Sequence, residues 1–232
     1  MDCRSCARLR LKEVGLKGKQ EREARYKGTL DGSTGTHSQD YLLLAGRLHR
    51  LSLEQANKSV NGNTSHYVFA GIPILLAALQ AIVAEYEFII FSPKRRTPVN
   101  VNSSAFVRDY GIVGDLLNDL NDLIELRNEI IHPAHATCGA KDNWPPYLAR
   151  VKKKGLLNST GDPEADYSML SQIASHKLFA WSVGVIKQLY TVVIESDPDR
   201  ASMFRPFLSS FDPIWFERMH LTEPLVEGPL QS

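Results

Sequence analysis

Leu123-Ile124-Glu125-Leu126-Arg127-Asn128-Glu129-Ile130-Ile131-His132-Pro133 is the stretch on which the reading of the chain turns. Apolar residues fall at Ile112, Leu116, Leu120, Leu123 and Ile130, with a second row at Val113, Leu117, Ile124 and Ile131. Spacings of three, four and seven predict one helix with a broad apolar face. Asn102-Ser103-Ser104 offers N-caps for its start. Its end falls near His132, because proline pushes the residue before it out of helical geometry. Arg127 and Asn128 then stand on the last turns, with His132 at the exit. Asn128 and His132 are four apart and share a face, and Arg127 lies on the next strip.

Those three residue types have a chemistry in common. Arginine carries a permanently charged planar fork that suits phosphate. Histidine moves a proton in either direction near neutral pH. Asparagine fixes an imidazole ring or donates to an oxygen. RNA cleavage without a metal needs this set: a base for the 2′-hydroxyl proton, a cation on the phosphate and an acid for the leaving oxygen. The plain alternative is a helix-end histidine favoured by the macrodipole, with a solvated arginine beside it.

Arg127-Asn128-Glu129-Ile130-Ile131-His132 resembles the R-N-x-x-x-H form of the R-x(4–6)-H motif of the HEPN superfamily. As in many members, the motif sits on a long amphipathic helix and proline follows at once. The likeness extends by element order over residues 38–195, and its specific part is these six residues. It implies an all-α bundle, and the four periodic segments of the chain, with no sustained two-residue alternation, predict an antiparallel helical bundle of four main helices with short C-terminal helices. It implies a homodimer in which Arg127 and His132 of two subunits, with Asn128 beside them, form a composite catalytic site. The activity implied is that of a metal-independent endoribonuclease of toxin or defence type, with RNA as substrate, a cognate antitoxin as partner and no cofactor. Some members are catalytically silent, so a helical bundle that binds RNA or protein is the alternative. Some HEPN toxins carry a tyrosine two residues after the histidine, which a partner nucleotidyltransferase modifies. Here that position is Ala134, so this regulation is not implied. An acidic or polar residue near the second helix often approaches the motif in HEPN enzymes, which makes Glu85 an accessory candidate. The competing expectation has Glu85 and Glu87 facing solvent.

The chain has 232 residues, 43% hydrophobic and 23% charged, an ordinary composition for a globular protein with a real core. A net charge of +1 gives no global attraction to nucleic acid, so RNA contact requires local patches. Three cysteines, Cys3, Cys6 and Cys138, do not make a secreted disulfide framework, and a reducing cytoplasm is the simplest compartment. Cys3-x-x-Cys6 is half of a zinc site at most. His37 and Cys138 are its only remote candidate ligands, and the expectation is no metal. No Gly-rich phosphate loop, G-x-S-x-G or H-E-x-x-H occurs.

Residues 1–37 read as a basic flexible arm, with nine Lys or Arg against four Asp or Glu between Met1 and Lys27. The helical domain is expected over 38–223 and a disordered tail over 224–232. A first helix is predicted from about Ser38 to Val60, with Tyr41, Leu44, Leu48, Leu51 and Gln55 along one face. Asn61-Gly62-Asn63 ends it. A second runs from about Ser65 to Phe91. Its uncharged segment Val68 to Ala84 approaches the length of a membrane span. Pro73, Gln80 and the missing basic flank favour a helix buried in a bundle, and no membrane is expected. Lys94-Arg95-Arg96 forms a basic loop at the far end from His132.

After Pro133 comes a long connection holding His135, Trp144 and Tyr147, with a short helix expected from Tyr147 to Lys154. Lys152, Lys153 and Lys154 leave closest to the motif and are the candidate RNA-binding lysines. Trp144 and Tyr147 either stack bases or pack the loop. His132 and His135 make an H-x-x-H without further ligands. Asp162-Pro163-Glu164 opens a fourth helix, expected from Asp166 to Glu195 and ~45 Å long, with His176 at a surface or boundary. Beyond Ser196, Phe204, Phe207, Phe211, Trp215 and Phe216 make an aromatic segment suited to packing on the bundle or on a second subunit.

Overall fold

Seven helices account for most of the described residues. They are α1 His37–Lys58, α2 Val68–Phe91, α3 Ser104–Asp109, α4 Gly114–Ile131, α5 Pro146–Lys153, α6 Met169–Ile173 and α7 His176–Glu195. The structure, a computed structural model, describes residues 37–91, 98–133, 145–158 and 169–196. The basic arm, Lys94–Arg96, His135, Cys138, Trp144, Asp162–Glu164 and the aromatic C-terminal segment lie outside the described residues. Among those described there is no β-strand, only an isolated bridge between Thr64 and Ser175. The fold is all-α.

α2 is apolar all round, so it has no face to give to water and takes the centre. Ile72, Leu75, Leu79, Ile82, Val83 and Tyr86 are buried along it. Register follows from paired contacts. Ser38 at the start of α1 meets Glu85 late in α2, and Gln55 late in α1 meets His66 just before α2, so these helices are antiparallel. Gly71 packs against Phe179, and Tyr86 donates to the Ile194 carbonyl at 3.3 Å, so α2 and α7 run parallel. Tyr110, ahead of α4, reaches Glu87 late in α2, whereas Ile130 and Pro133 share a pocket with His66 and Phe69. α4 is therefore antiparallel to α2. Both α2 and α7 are long and apolar enough to cross a membrane, and half of each apolar window is buried within this bundle.

Four expectations change. The helix predicted to run unbroken to His132 is interrupted at Tyr110–Val113. Gly111 and Gly114 have φ of 63° and 62°, left-handed values that end one helix and begin the next. Ile112 is buried in the break, while Val113 is 74% exposed rather than part of the apolar face.

The helix expected from Asp166 to Glu195 is also divided. α6 ends at Ile173, and the Ser175 hydroxyl caps α7 by accepting from the Leu178 N–H at 3.3 Å. α7 spans 20 residues, ~30 Å at 1.5 Å per residue. A buried amide hub fills the joint. The Asn63 side-chain amide donates to the Asn158 side-chain oxygen at 2.7 Å and to the Ser175 hydroxyl at 3.0 Å, and its own side-chain oxygen accepts from the Lys177 N–H.

α1 is rotated from the predicted orientation. It buries Ser38, Leu42, Ala45, Gly46, Ser52 and Ala56, and leaves Tyr41, Leu44 and Leu51 at 40–44% exposure. Small residues let α1 lie close against α2, since interhelical distance follows the side chains at the contact.

The glutamates do not face solvent freely: Glu85 is half-buried and Glu87 is buried. Glu85 accepts from both the N–H and the hydroxyl of Ser38, at 3.0 and 2.5 Å, satisfying an orphan donor of the first turn of α1. Glu87 is 2% exposed and accepts from the Val99 N–H at 2.9 Å.

Candidate functional site: the exit of α4

α4 ends as its proline dictates. His132 leaves helical geometry at φ −131°, ψ 73°, and its backbone N–H still donates to the Asn128 carbonyl at 2.7 Å. Its side chain is exposed. Arg127 and Asn128 are half-buried one turn earlier. The Arg127 guanidinium donates to the Asn128 side-chain oxygen at 3.1 Å. Asn128 thus accepts from the arginine and holds it, rather than fixing the imidazole or donating to an oxygen as expected. The three residues occupy one helix end, with a braced cation beside an accessible imidazole. Chemically, that end can take a phosphate and exchange a proton.

The turn carrying the motif is supported from α5. Glu129 is 4% exposed and lies against Tyr147, itself buried. Burial raises the Tyr147 phenol well above its ordinary range, and the charges of Glu129 and Glu125 raise it further. Tyr147 therefore packs the connection onto α4 and is withdrawn from base stacking. Farther along, Asp122 on α4 has no exposed surface and accepts from Arg150 at 2.9 and 2.6 Å. Lys154 pairs with Asp119, stands 3.6 Å from the other Asp122 oxygen, and lies over the Trp181 ring at 4.8 Å.

The three candidate RNA-binding lysines are all exposed at the end of α5, and Lys154 in addition fastens α5 to α4 and α7. Glu85 stands apart from the motif. The α4 exit meets α2 at Phe69, and 16 residues of helix from there to Glu85 measure ~24 Å. In one chain Glu85 ties down α1 rather than approaching Arg127 or His132. Among the described residues no three of His, Cys, Asp and Glu gather as a metal site would require.

Sequence reasoning missed the pocket at this end. His66, Phe69, Ile130, Pro133, Leu170 and Ser171 enclose an open, mostly apolar space of about 290 Å³. The His66 and Phe69 rings lie 6.1 Å apart and only 24° from parallel. The His66 backbone N–H donates to the Gln55 side chain at 2.9 Å, which fixes the turn carrying the imidazole. No pattern in the chain announced that α6 and the start of α2 would close around the motif.

No family model, no curated protein and no solved structure matches this chain.

Proposed function

We propose that this protein is a metal-independent endoribonuclease of HEPN type, acting as a homodimer on single-stranded RNA. One observation carries the reading: a guanidinium braced by its neighbour and an exposed imidazole share the last turn of α4 and its exit. In the proposed reaction a base removes the 2′-hydroxyl proton and the 2′-oxygen attacks phosphorus. The bond from phosphorus to the 5′-oxygen breaks, and an acid protonates that oxygen. The products are a 2′,3′-cyclic phosphate and a 5′-hydroxyl. His132 serves as base or acid, Arg127 neutralises the phosphorane, and Asn128 keeps the fork in place. Two subunits are paired because the resemblance of the motif implies a composite site that draws Arg127 and His132 from both chains. The exposed Tyr41, Leu44 and Leu51 stripe on α1 gives a second copy an apolar surface to cover. A toxin or defence role with an antitoxin, and a cytoplasmic location, belong to the same proposal.

That outward stripe also favours a second reading, a silent bundle that binds RNA or a protein partner without cutting. One experiment separates the two. Purified protein is incubated with single-stranded RNA in chelator, and the termini are identified. Cleavage to cyclic phosphate is expected. His132→Ala should lower the rate by roughly 10²–10⁴-fold, and Arg127→Lys should retain part of the activity because lysine lacks the bidentate fork. Mixing His132→Ala with Arg127→Ala chains should restore cleavage if the site is shared between subunits. Cleavage that depends on magnesium, or an unimpaired His132→Ala, removes the nuclease assignment. Binding without cleavage selects the silent bundle.

A further inference from the structure

Beside the α4 exit, the pocket enclosed by His66, Phe69, Ile130, Pro133, Leu170 and Ser171 has no occupant in the reaction just described. Its size and chemistry narrow what fits. Drug-sized ligands take pockets from about 300 Å³ upward, so about 290 Å³ admits one ring system. Phe69, Ile130 and Leu170 are half-buried and form walls, while His66 and Ser171 are exposed at the rim. Apolar walls with two nearly parallel rings suit a flat aromatic guest, and the exposed His66 imidazole at the rim suits a heterocycle with polar edges. An aliphatic side chain of a protein partner would make no use of the flat ring faces. Ile130 lies three residues after Arg127, ~4.5 Å along the helix, so the pocket and the cation that would hold a phosphate share the last turns of α4.

We propose that this pocket receives one nucleobase of single-stranded RNA, the base next to the phosphate held by Arg127, by stacking on His66 and Phe69. The inference rests on the nuclease reading for its neighbour and extends it to a base-binding subsite. It assigns His66, Phe69 and Ser171 to positioning the substrate rather than to proton transfer.

The test uses the full chain carrying His132→Ala, so that the probe survives. The probe is a short single-stranded oligoribonucleotide with one 2-aminopurine, read by fluorescence anisotropy and by quenching of that base. Quenching on binding is expected. An abasic probe with the same number of phosphates should bind about tenfold more weakly, as should the 2-aminopurine probe to the His66→Ala variant, the usual scale for loss of one stacked base. Ser171→Trp fills the pocket from its exposed rim and should abolish quenching, with helix content unchanged by circular dichroism. Equal affinity for abasic and intact probes overturns the proposal, as does undiminished quenching in Ser171→Trp. Displacement of a bound apolar peptide, with no response to the RNA probe, overturns it in favour of a protein partner. The two readings fail separately. Wild-type cleavage with the base preference unchanged in Ser171→Trp removes the pocket and keeps the nuclease. Pocket-dependent quenching by a protein that never cuts removes the nuclease and keeps the pocket.

Discussion

Asp122 has no exposed surface and carries its carboxylate between two cations, Arg150 of α5 on one oxygen and Lys154, just past the end of α5, near the other. A buried charge is tolerated because it is paired, and removing a partner exposes the cost of burial. The two single variants should therefore differ. Arg150→Met leaves the carboxylate buried with only Lys154 at 3.6 Å, and is expected to lower stability by about 2–3 kcal/mol, below the ~3–5 kcal/mol of a fully buried pair. Asp122→Asn keeps an acceptor for an arginine that is half exposed, and should cost about 1 kcal/mol. Urea titrations that rank the two in the opposite order would show that the pair is not what anchors α5. Such anchoring matters to the site because α5 also supplies Tyr147, which packs the motif turn of α4 through Glu129.

Gly71 and Gly184 set apart two contacts that a helix-propensity scale treats alike. Replacing an exposed helical glycine by alanine gains about 1 kcal/mol. At Gly184 on α7 nothing lies within 4 Å of an added Cβ, so Gly184→Ala should stabilise by that amount. At Gly71 on α2 the added carbon would fall inside the contact radius of the Phe179 ring. Gly71→Ala should therefore destabilise by about 1–3 kcal/mol as an overpacked core does, and Phe179→Leu in the same chain should recover part of the loss. Thermal denaturation of the three variants checks the signs, and a stabilised Gly71→Ala would refute the close approach of α2 and α7.

Helix existence was legible in the chain, and helix boundaries were legible wherever a local signal set them. The α1 and α2 limits, the short helix at Pro146–Lys153 and the stop at His132 follow from turn chemistry and proline. Gly111 and Gly114 were equally visible, but the apolar period running through Ile112 and Val113 concealed the break they make. The face buried by α1 was misread because leucines outnumber small residues there. Close approach to α2 favours Ala45, Gly46 and Ser52 instead. Glu85 and Glu87 read as solvated because their partners, Ser38 and Val99, lie 47 and 12 residues away. For the site, the exposed His132 and the neighbouring Arg127 could be placed from the sequence. The pocket could not, because its walls come from three separate segments that only the tertiary fold assembles.

Where α1 meets α7, the molecule has a pH-dependent seam. His49 and His176 lie with ring centroids 4.9 Å apart, Ser52 meets His176 Nδ1 at 2.9 Å, and Phe179 closes the other side of His49. Burial, and then the nearby His176, hold His49 down to about 4, and burial lowers His176 as well. Between about 4, where His49 is held, and the ordinary 6.5, the unfolded chain binds more protons than the folded one. Stability from this seam is therefore intact above about pH 6.5 and is lost as pH falls toward 4. Melting temperatures taken from about pH 7 to 5, above most carboxylate titration, should decline for the wild type and decline less for His49→Leu. Equal slopes would exclude the seam as the cause.

The amide hub at the start of α7 bears on the order in which the chain assembles. Asn63 reaches Asn158 across 95 residues and Ser175 across 112. The α1–α2 hairpin, by contrast, closes through a turn of nine residues between Lys58 and Val68. Entropy of loop closure makes such distant partners slow to find one another, whereas hairpins of adjacent helices form early. Asn63 sits in the turn of that hairpin, so its amide is expected to stay hydrated until Asn158 and Ser175 arrive. Leu170 and Ser171, just ahead of Ser175, wall the pocket at the α4 exit, so that pocket is expected to close only when the last third of the chain docks.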